Sequence, residues 1–230
     1  MQEIVRGFQE AIRMLFSFDP EIYEIVGLSL KVSLSSVLIA TFLGVPLGVL
    51  LGLFHFKGKH IIIRITYTLM SLPPVIAGLV VFLFIMRKGP LGFLGLSFTP
   101  IAMVIAQVCL VTPIITGLTY NIVQEKATRV RWLATTLGAN KAESIKLLIF
   151  ELRVGILAAI VTGMGRAISE VGAVMLVGGN IVGKTRVMTT YIAQLQRMGN
   201  FDRAIAVGIV LLLIAFAINA VLYNIQERHG

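Results

Sequence analysis

Long runs without charge dominate the chain, and short polar clusters divide them. Val32–Phe54 carries no charged residue, nor does Ile65–Met86, and a third uncharged run extends from Gly89 to Gln124. The Gly- and Pro-rich start of that third run reads as a loop, which leaves a span near 99–121. A fourth run covers 154–178, interrupted by Arg166 and Glu170, and a fifth covers 204–224. A helix crossing the hydrocarbon of a bilayer needs about 20 mostly apolar residues. The pattern therefore predicts an all-α integral membrane protein with five transmembrane helices, over about 30–54, 65–86, 99–121, 154–178 and 204–224.

The segment ahead of the spans, "MQEIVRGFQEAIRMLFS" (1–17), is no secretory signal, because Glu3, Arg6, Glu10 and Arg13 interrupt any apolar core. Ile4, Phe8, Ile12 and Leu15 recur at helical spacing, which predicts an amphipathic helix lying in the membrane interface; a partly ordered leader is the other reading. The expected organisation is an N-terminal segment 1–26, a transmembrane domain 27–224 and a short tail 225–230. Within the first span Gly44, Gly48 and Gly52 stand four apart, a small-residue face that lets another helix approach closely. Pro73 and Pro74 fall inside the second span. Their freed carbonyls need partners, so a kink is expected there, facing a pathway or serving packing alone.

Composition agrees with the pattern: 57% of residues are hydrophobic and 13% charged, and the mean hydropathy is +0.92. Globular chains average about 25% charged residues, so there is too little polar surface for a soluble domain. The net charge of +9 sits in short clusters between apolar runs, the usual place for Lys and Arg in membrane proteins, and argues against nucleic acid as a partner. One cysteine, Cys109, lies deep in an apolar run, so no internal disulfide forms. Five spans put the termini on opposite sides of the membrane. With loops 55–64 and 122–153 and the C-terminus on one side, ten basic residues lie there and nine on the other. That imbalance is too small to set the orientation.

One stretch suggests an ATPase. "GGNIVGKT", Gly178 to Thr185, fits the G-x-x-x-x-G-K-[ST] pattern of a phosphate-cradling loop. That loop requires a strand before it and an α/β domain around it. The preceding run, "ILAAIVTGMGRAISEVGAVMLV", is far too long for a strand, and about 18 mostly polar residues separate Thr185 from the next span. No nucleotide domain fits, and the match is a coincidence in a loop.

Residues 122–153, "IVQEKATRVRWLATTLGANKAESIKLLIFELR", form the longest hydrophilic segment between spans, against typical helix–helix connections of about 2–8 residues. Gly138 permits a sharp turn between two short helices, giving a compact knob able to enter a cleft on another protein. The segment resembles the cytoplasmic coupling segment of ABC-importer permeases, whose pattern is E-A-A, a Gly after three further residues, and later I-x-L-P. Ala134 matches the second Ala, Gly138 the Gly and Leu148 the Ile; Trp132, Leu133 and Glu151 depart from the Glu, first Ala and Pro. Three further stretches, "LSLKVSL…GVPLGVLLGL", "LPPVIAGLVVFL" and "GRAISEVGAVMLVGGNI", follow in the order seen in the oxyanion branch of that family, which includes molybdate, tungstate and sulfate permeases. "ISEVGAVMLVGGNIVGKTRVMTT" looks most similar to tungstate permeases, and the likeness covers about 27–224.

That resemblance implies a type I ABC-importer permease core in the cytoplasmic membrane of a prokaryote, with the coupling segment and C-terminus inside and the N-terminus outside. It implies a homodimer working with two ATP-binding subunits and a soluble extracytoplasmic oxyanion-binding protein. No cofactor is expected in this chain; ATP and Mg would belong to the partner ATPase. On the resemblance, Ala134, Leu137, Gly138, Ala139, Lys141, Glu143 and Leu148 form the coupling segment.

Arg166 and Glu170 are spaced to pair on one helical face. Charges inside a span cost roughly 2.5–3.5 kcal/mol each on insertion scales and normally face a bundle interior or a watery cavity. Two roles are open. In one, Arg166 offers positive potential to an oxyanion and Glu170 restrains it, with Ser169 and Asn180 nearby as hydrogen-bond donors in a pathway or gate. In the other, the pair only fixes helix packing. Two other classes compete with the importer reading. A proton- or sodium-coupled carrier usually carries inverted repeats with broken helices in matching positions, and neither is evident in the sequence. A membrane-embedded enzyme needs a metal or nucleophile–base cluster, whereas His55, His60 and His229 flank spans and Asp occurs only at Asp19 and Asp202.

Overall fold

A computed structural model of the protein describes residues 6–7, 9–11, 13–14 and 20–227, the side chains of 131, 135, 141 and 225–227 excepted. From residue 20 onward the chain is helical: α1 Pro20–Leu53, α2 Lys59–Met70, α3 Pro74–Ile85, α4 Pro100–Thr136, α5 Lys141–Ile168, α6 Gly172–Gly178, α7 Met188–Arg197 and α8 Phe201–Glu227. No strand occurs among the described residues. Four helices, α1, α4, α5 and α8, are long and apolar enough to cross a membrane, and the bent pair α2–α3 makes a fifth crossing if taken as one span.

Several boundaries differ from the sequence expectation. The second span is not one helix: α2 and α3 meet at 104°. Residues before proline are pushed out of the helical region, so Leu72 and Pro73 leave the helix, while Pro74 sits at a first-turn position where proline costs nothing. The fourth span also breaks. α5 ends at Ile168, and the short α6 resumes at Gly172. α1 begins at Pro20 and crosses the expected boundary at residue 26, and α4 runs unbroken from Pro100 through Thr136, so the knob consists of the ends of two long helices rather than two separate short ones. α8 reaches Glu227, past the expected end at 224. A helix not anticipated, α7, occupies the polar segment after "GGNIVGKT".

α1 and α4 make the most extensive helix pairing, and the glycine face explains it. A Cβ on Gly48 would lie 2.6 Å from Thr119 Cβ and 2.7 Å from the Thr116 carbonyl oxygen, and one on Gly52 would lie 2.3 Å from Val123 Cγ1. Only glycine allows the two backbones this close. The same device joins α3 to α6, where a Cβ on Gly78 would meet Ala173 Cα at 2.5 Å. Around this seam one core cluster brings together Val32, Val81, Met103, Leu110, Val174 and Val177.

The apolar face expected of the N-terminal helix, Ile4, Phe8, Ile12 and Leu15, lies outside the described residues. Those described between 6 and 14 are helical. Ala11 and Met14 are buried in a second core with Met188, Tyr191 and Leu195 of α7 and Val207 of α8. Ala11 and Met14 are thus packed on protein.

Candidate functional site: a capped knob and a charged helix break

The knob is built by strong local signals. α4 stops at Thr136, and Gly138 takes a left-handed φ of 78°. The Ala139 N–H then reaches back to the Ala134 carbonyl at 2.9 Å, closing the helix end as glycine-terminated helices do. Two residues later a capping box starts α5: Asn140 Oδ1 accepts from the Glu143 N–H at 3.0 Å, and the Asn140 N–H donates to Glu143 Oε2 at 2.8 Å. Such a turn is defined without help from the rest of the fold.

The coupling residues divide by exposure. Ala134 and Leu148 face inward, 1% and 5% exposed, and Leu148 packs with Val123, Val130 and Leu152. Leu137 is 82% exposed at the tip, beside exposed Trp132 and Leu133. Gly138 is exposed, with no atom within 4 Å of its would-be Cβ, so its constraint is backbone conformation alone. Lys141 opens α5, and its side chain lies outside the described part. The departures from the family pattern have a physical place. Trp132 and Leu133 enlarge the exposed apolar tip. Glu151, where the pattern has Pro, keeps α5 continuous and binds Lys126 of α4 at 3.1 Å. Trp132, Leu133 and Leu137 together form an exposed apolar patch at the tip of the knob.

The other centre is the break between α5 and α6. Arg166 Nη2 lies 3.8 Å from Glu170 Oε2, with side chains 39% and 4% exposed respectively. The pair is therefore not a mid-helix one: Glu170 stands two residues beyond the end of α5, buried, and Arg166 is the member that reaches the surface. Glu170 Oε1 accepts from the Ala173 N–H at 3.0 Å, holding the start of α6. Its backbone carbonyl accepts from Thr189 Oγ1 at 2.9 Å, which draws it out of the helical ladder. Gln107 of α4 donates from Nε2 to the Ala167 carbonyl at 3.0 Å, near the last turn of α5. Three hydrogen bonds, one from α4, one from α7 and one to the Glu170 carboxylate itself, thus hold the backbone of the break.

Ser169 is exposed beside the pair, but its hydroxyl bonds the Gly165 carbonyl at 2.9 Å, and the Thr162 hydroxyl likewise bonds Ala158. Asn180 is not brought to the pair. It lies past the far end of α6 with φ 52°, donating to Gln194 Oε1 at 2.7 Å and accepting from the Thr190 hydroxyl at 2.9 Å. Gln107 and Thr189 escaped the sequence reading. An amide inside an uncharged span was the available signal for the first, and nothing marked the second.

"GGNIVGKT" folds as a closed loop between helices α6 and α7. Gly179 and Gly183 take φ values of 71° and 67°, and Thr185, fully buried, accepts from the Ile181 N–H and donates to the Gly178 carbonyl at 2.9 and 2.6 Å. The hydroxyl that would face magnesium in a phosphate loop is turned onto its own backbone.

With four helices long and apolar enough to cross a membrane, a fifth crossing if the bent pair is one span, and a knob at the ends of α4 and α5, this is a multi-span membrane protein. The chain belongs to the family described as "Binding-protein-dependent transport system inner membrane component", whose model matches residues 44–229; it is the permease subunit and not itself the ATPase. It is similar to the tungstate uptake system permease protein TupB of Peptoclostridium acidaminophilum, 49% identical over 99% of this chain and 100% of that one. A probable anion ABC transporter permease of Haloferax volcanii is 37% identical over 89% of this chain and 90% of its own length. The sulfate transport permease CysW of Escherichia coli is a more distant relative, 24% identical over 99% of this chain and 81% of its own.

Proposed function

We propose that the chain is the permease subunit of an ATP-driven importer of a tetrahedral oxyanion, tungstate foremost. The observation that carries this reading is the 49% identity, over 99% of this chain and 100% of the other, to a permease of a tungstate uptake system. Two copies enclose the pathway, two separate ATPase subunits receive the knobs, and a soluble extracytoplasmic protein delivers the anion. ATP and magnesium belong to the ATPase subunits, and this chain holds no cofactor. Closure of the ATPases moves the knobs and turns the pathway from inward- to outward-open.

Within that scheme Leu137 and the exposed face around Gly138 make the ATPase contact, with Ala134 and Leu148 holding the knob's shape. The break supplies the pathway or gate. Arg166, half-exposed, offers positive potential, and Glu170, buried four residues on, restrains it. Ser169 lies alongside as a polar neighbour. The sulfate permease among the relatives keeps molybdate and sulfate as alternative cargoes, since all are tetrahedral dianions.

The test is uptake of labelled tungstate by cells whose own tungstate import is deleted, supplied with this permease together with its ATPase and binding protein. Uptake that competes with unlabelled tungstate is expected. Transport of sulfate in preference to tungstate would replace the cargo but keep the class, and uptake without any ATPase subunit would overturn the class.

A further inference from the structure

The break borders a narrow crevice between α1, α4, α5, α7 and α8, lined on its polar side by Ser29, Ser33, Gln107, Glu170 and Thr189. Two of these groups already have their partners. The Ser29 hydroxyl donates to the Ile25 carbonyl at 2.7 Å and accepts from the Met188 N–H at 2.8 Å, and the Thr189 hydroxyl donates to the Glu170 carbonyl. The other three do not close among themselves. Gln107 is 3% exposed and uses its Nε2, yet its Oε1 is buried with no hydrogen-bond partner. Glu170 uses Oε1 on Ala173, whereas Oε2 has Arg166 only at 3.8 Å, beyond hydrogen-bond length. Ser33, 4% exposed, brings a hydroxyl from α1.

A buried amide oxygen without a donor bears the full cost of its desolvation, and this one belongs to a side chain that lines the crevice. The occupant must give two protons to two acceptors and accept one from a hydroxyl. It must also be small, because the crevice admits about one molecule of water size. A monovalent cation satisfies the size but not the electrostatics: Arg166 already stands 3.8 Å from Glu170 Oε2, and a second positive charge would face it across the same carboxylate.

We infer that the crevice is a binding site for a single internal water, donating to Gln107 Oε1 and Glu170 Oε2 and accepting from Ser33. Three hydrogen bonds is the usual complement of a buried water. The molecule joins α1, α4 and the α5–α6 break through a bridge that can be re-formed, so these elements can slide by an ångström or so without stranding a buried polar atom. On the permease reading, that makes the break a hinge.

The experiment is a double-mutant cycle on the purified full-length chain in lipid nanodiscs, with Ser33→Ala, Gln107→Met and the pair, read as the thermal unfolding midpoint. Each single change is expected to lower the midpoint, and the double change by less than the sum, because either one removes the shared water. Ser33→Val, which also fills the space, is expected to lower the midpoint more than Ser33→Ala. A high-resolution map of the wild type is expected to show a density peak bonded to Gln107 and Glu170 that is absent in Ser33→Val. Replacing sodium by choline at constant ionic strength is expected to leave the midpoint unchanged. Strict additivity, a map with Ser33 directly on Gln107, or a sodium-specific shift would each overturn the proposal. None of these readouts involves transport, so they stand or fall apart from the cargo assignment.

Discussion

Removing Arg166 and removing Glu170 should not be equivalent, and the asymmetry follows from their burial. Arg166→Met strands a carboxylate that is 4% exposed and keeps the Ala173 N–H as its protein donor. Breaking a buried ion pair from one side costs about 3–5 kcal/mol. Because Arg166 is itself 39% exposed and 3.8 Å away, part of its attraction is screened, and about 3 kcal/mol is the expected loss. Glu170→Gln keeps an acceptor for Ala173 and leaves an arginine whose side chain is already 39% exposed, so about 1 kcal/mol is expected, the upper size of a screened ion pair. The double change Arg166→Met with Glu170→Gln removes both charges and keeps the helix start, so it should be more stable than Arg166→Met alone. The assay is the unfolding midpoint of each purified variant, followed by labelled oxyanion uptake once assembly with the ATPase is verified. A double variant less stable than Arg166→Met would refute the burial argument. An assembled double variant with full uptake would leave the pair a packing device and end its pathway role; loss of uptake is the expected result.

Gly138→Val places a Cβ in open space but forces a branched residue into φ 78°, costing about 1–2 kcal/mol; the variant should insert normally and lose ATPase association and uptake, with Gly138→Asn restoring part of both because Asn tolerates this region. Wild-type co-purification by the valine variant would refute the knob assignment. Gly48→Leu drives a side chain into Thr119 and the Thr116 carbonyl and should lower stability by at least the ~1–3 kcal/mol of ordinary overpacking, measurable as a drop in unfolding midpoint, whereas Gly27→Leu, with nothing within 4 Å, should not. Lys184→Ala should leave nucleotide binding by the isolated chain at background, as in the wild type; nucleotide binding lost in this variant would reinstate the phosphate-loop reading.

The existence of the spans was legible because hydrocarbon demands length and absence of charge, and 32–54 or 204–224 satisfy both outright. Their ends were less so. A helix does not stop where the bilayer does: Glu21 and Glu24 continue α1 outward, with Glu21 held by Arg186 at 3.3 Å. Pro73–Pro74 announced an interruption but not its 104° bend, and the close seating of Gly78 against Ala173 joins distant parts of the chain. α7 was missed although its pattern was present. Met188, Tyr191 and Leu195 repeat at helical spacing and are buried, but in a ten-residue polar stretch they read as loop. At the site, the Arg166–Glu170 spacing was visible and the unequal burial was not, because Gln107 and Thr189, which grip the break and help enclose Glu170, arrive from α4 and α7.

The two centres are joined by the helices themselves. α4 carries Gln107 near its start and ends at the knob; α5 begins at the knob and ends at Arg166 and the break. At 1.5 Å per residue each connection is about 40 Å long, and the two helices are tied near the knob by Lys126–Glu151 and by Val130 packed with Leu148 and Leu152. On the proposed function, a displacement of the knob would reach the break as motion of a paired rod. The break is where that rod gives way: α5 stops, Glu170 holds the next helix by one N–H, and Gln107 ties α4 to the Ala167 carbonyl. If α4 and α5 moved independently, cutting Lys126–Glu151 would leave uptake untouched. If they act as one rod, Lys126→Met should reduce uptake per hydrolysed ATP while ATPase association persists, and that ratio is the measurement that separates the two cases.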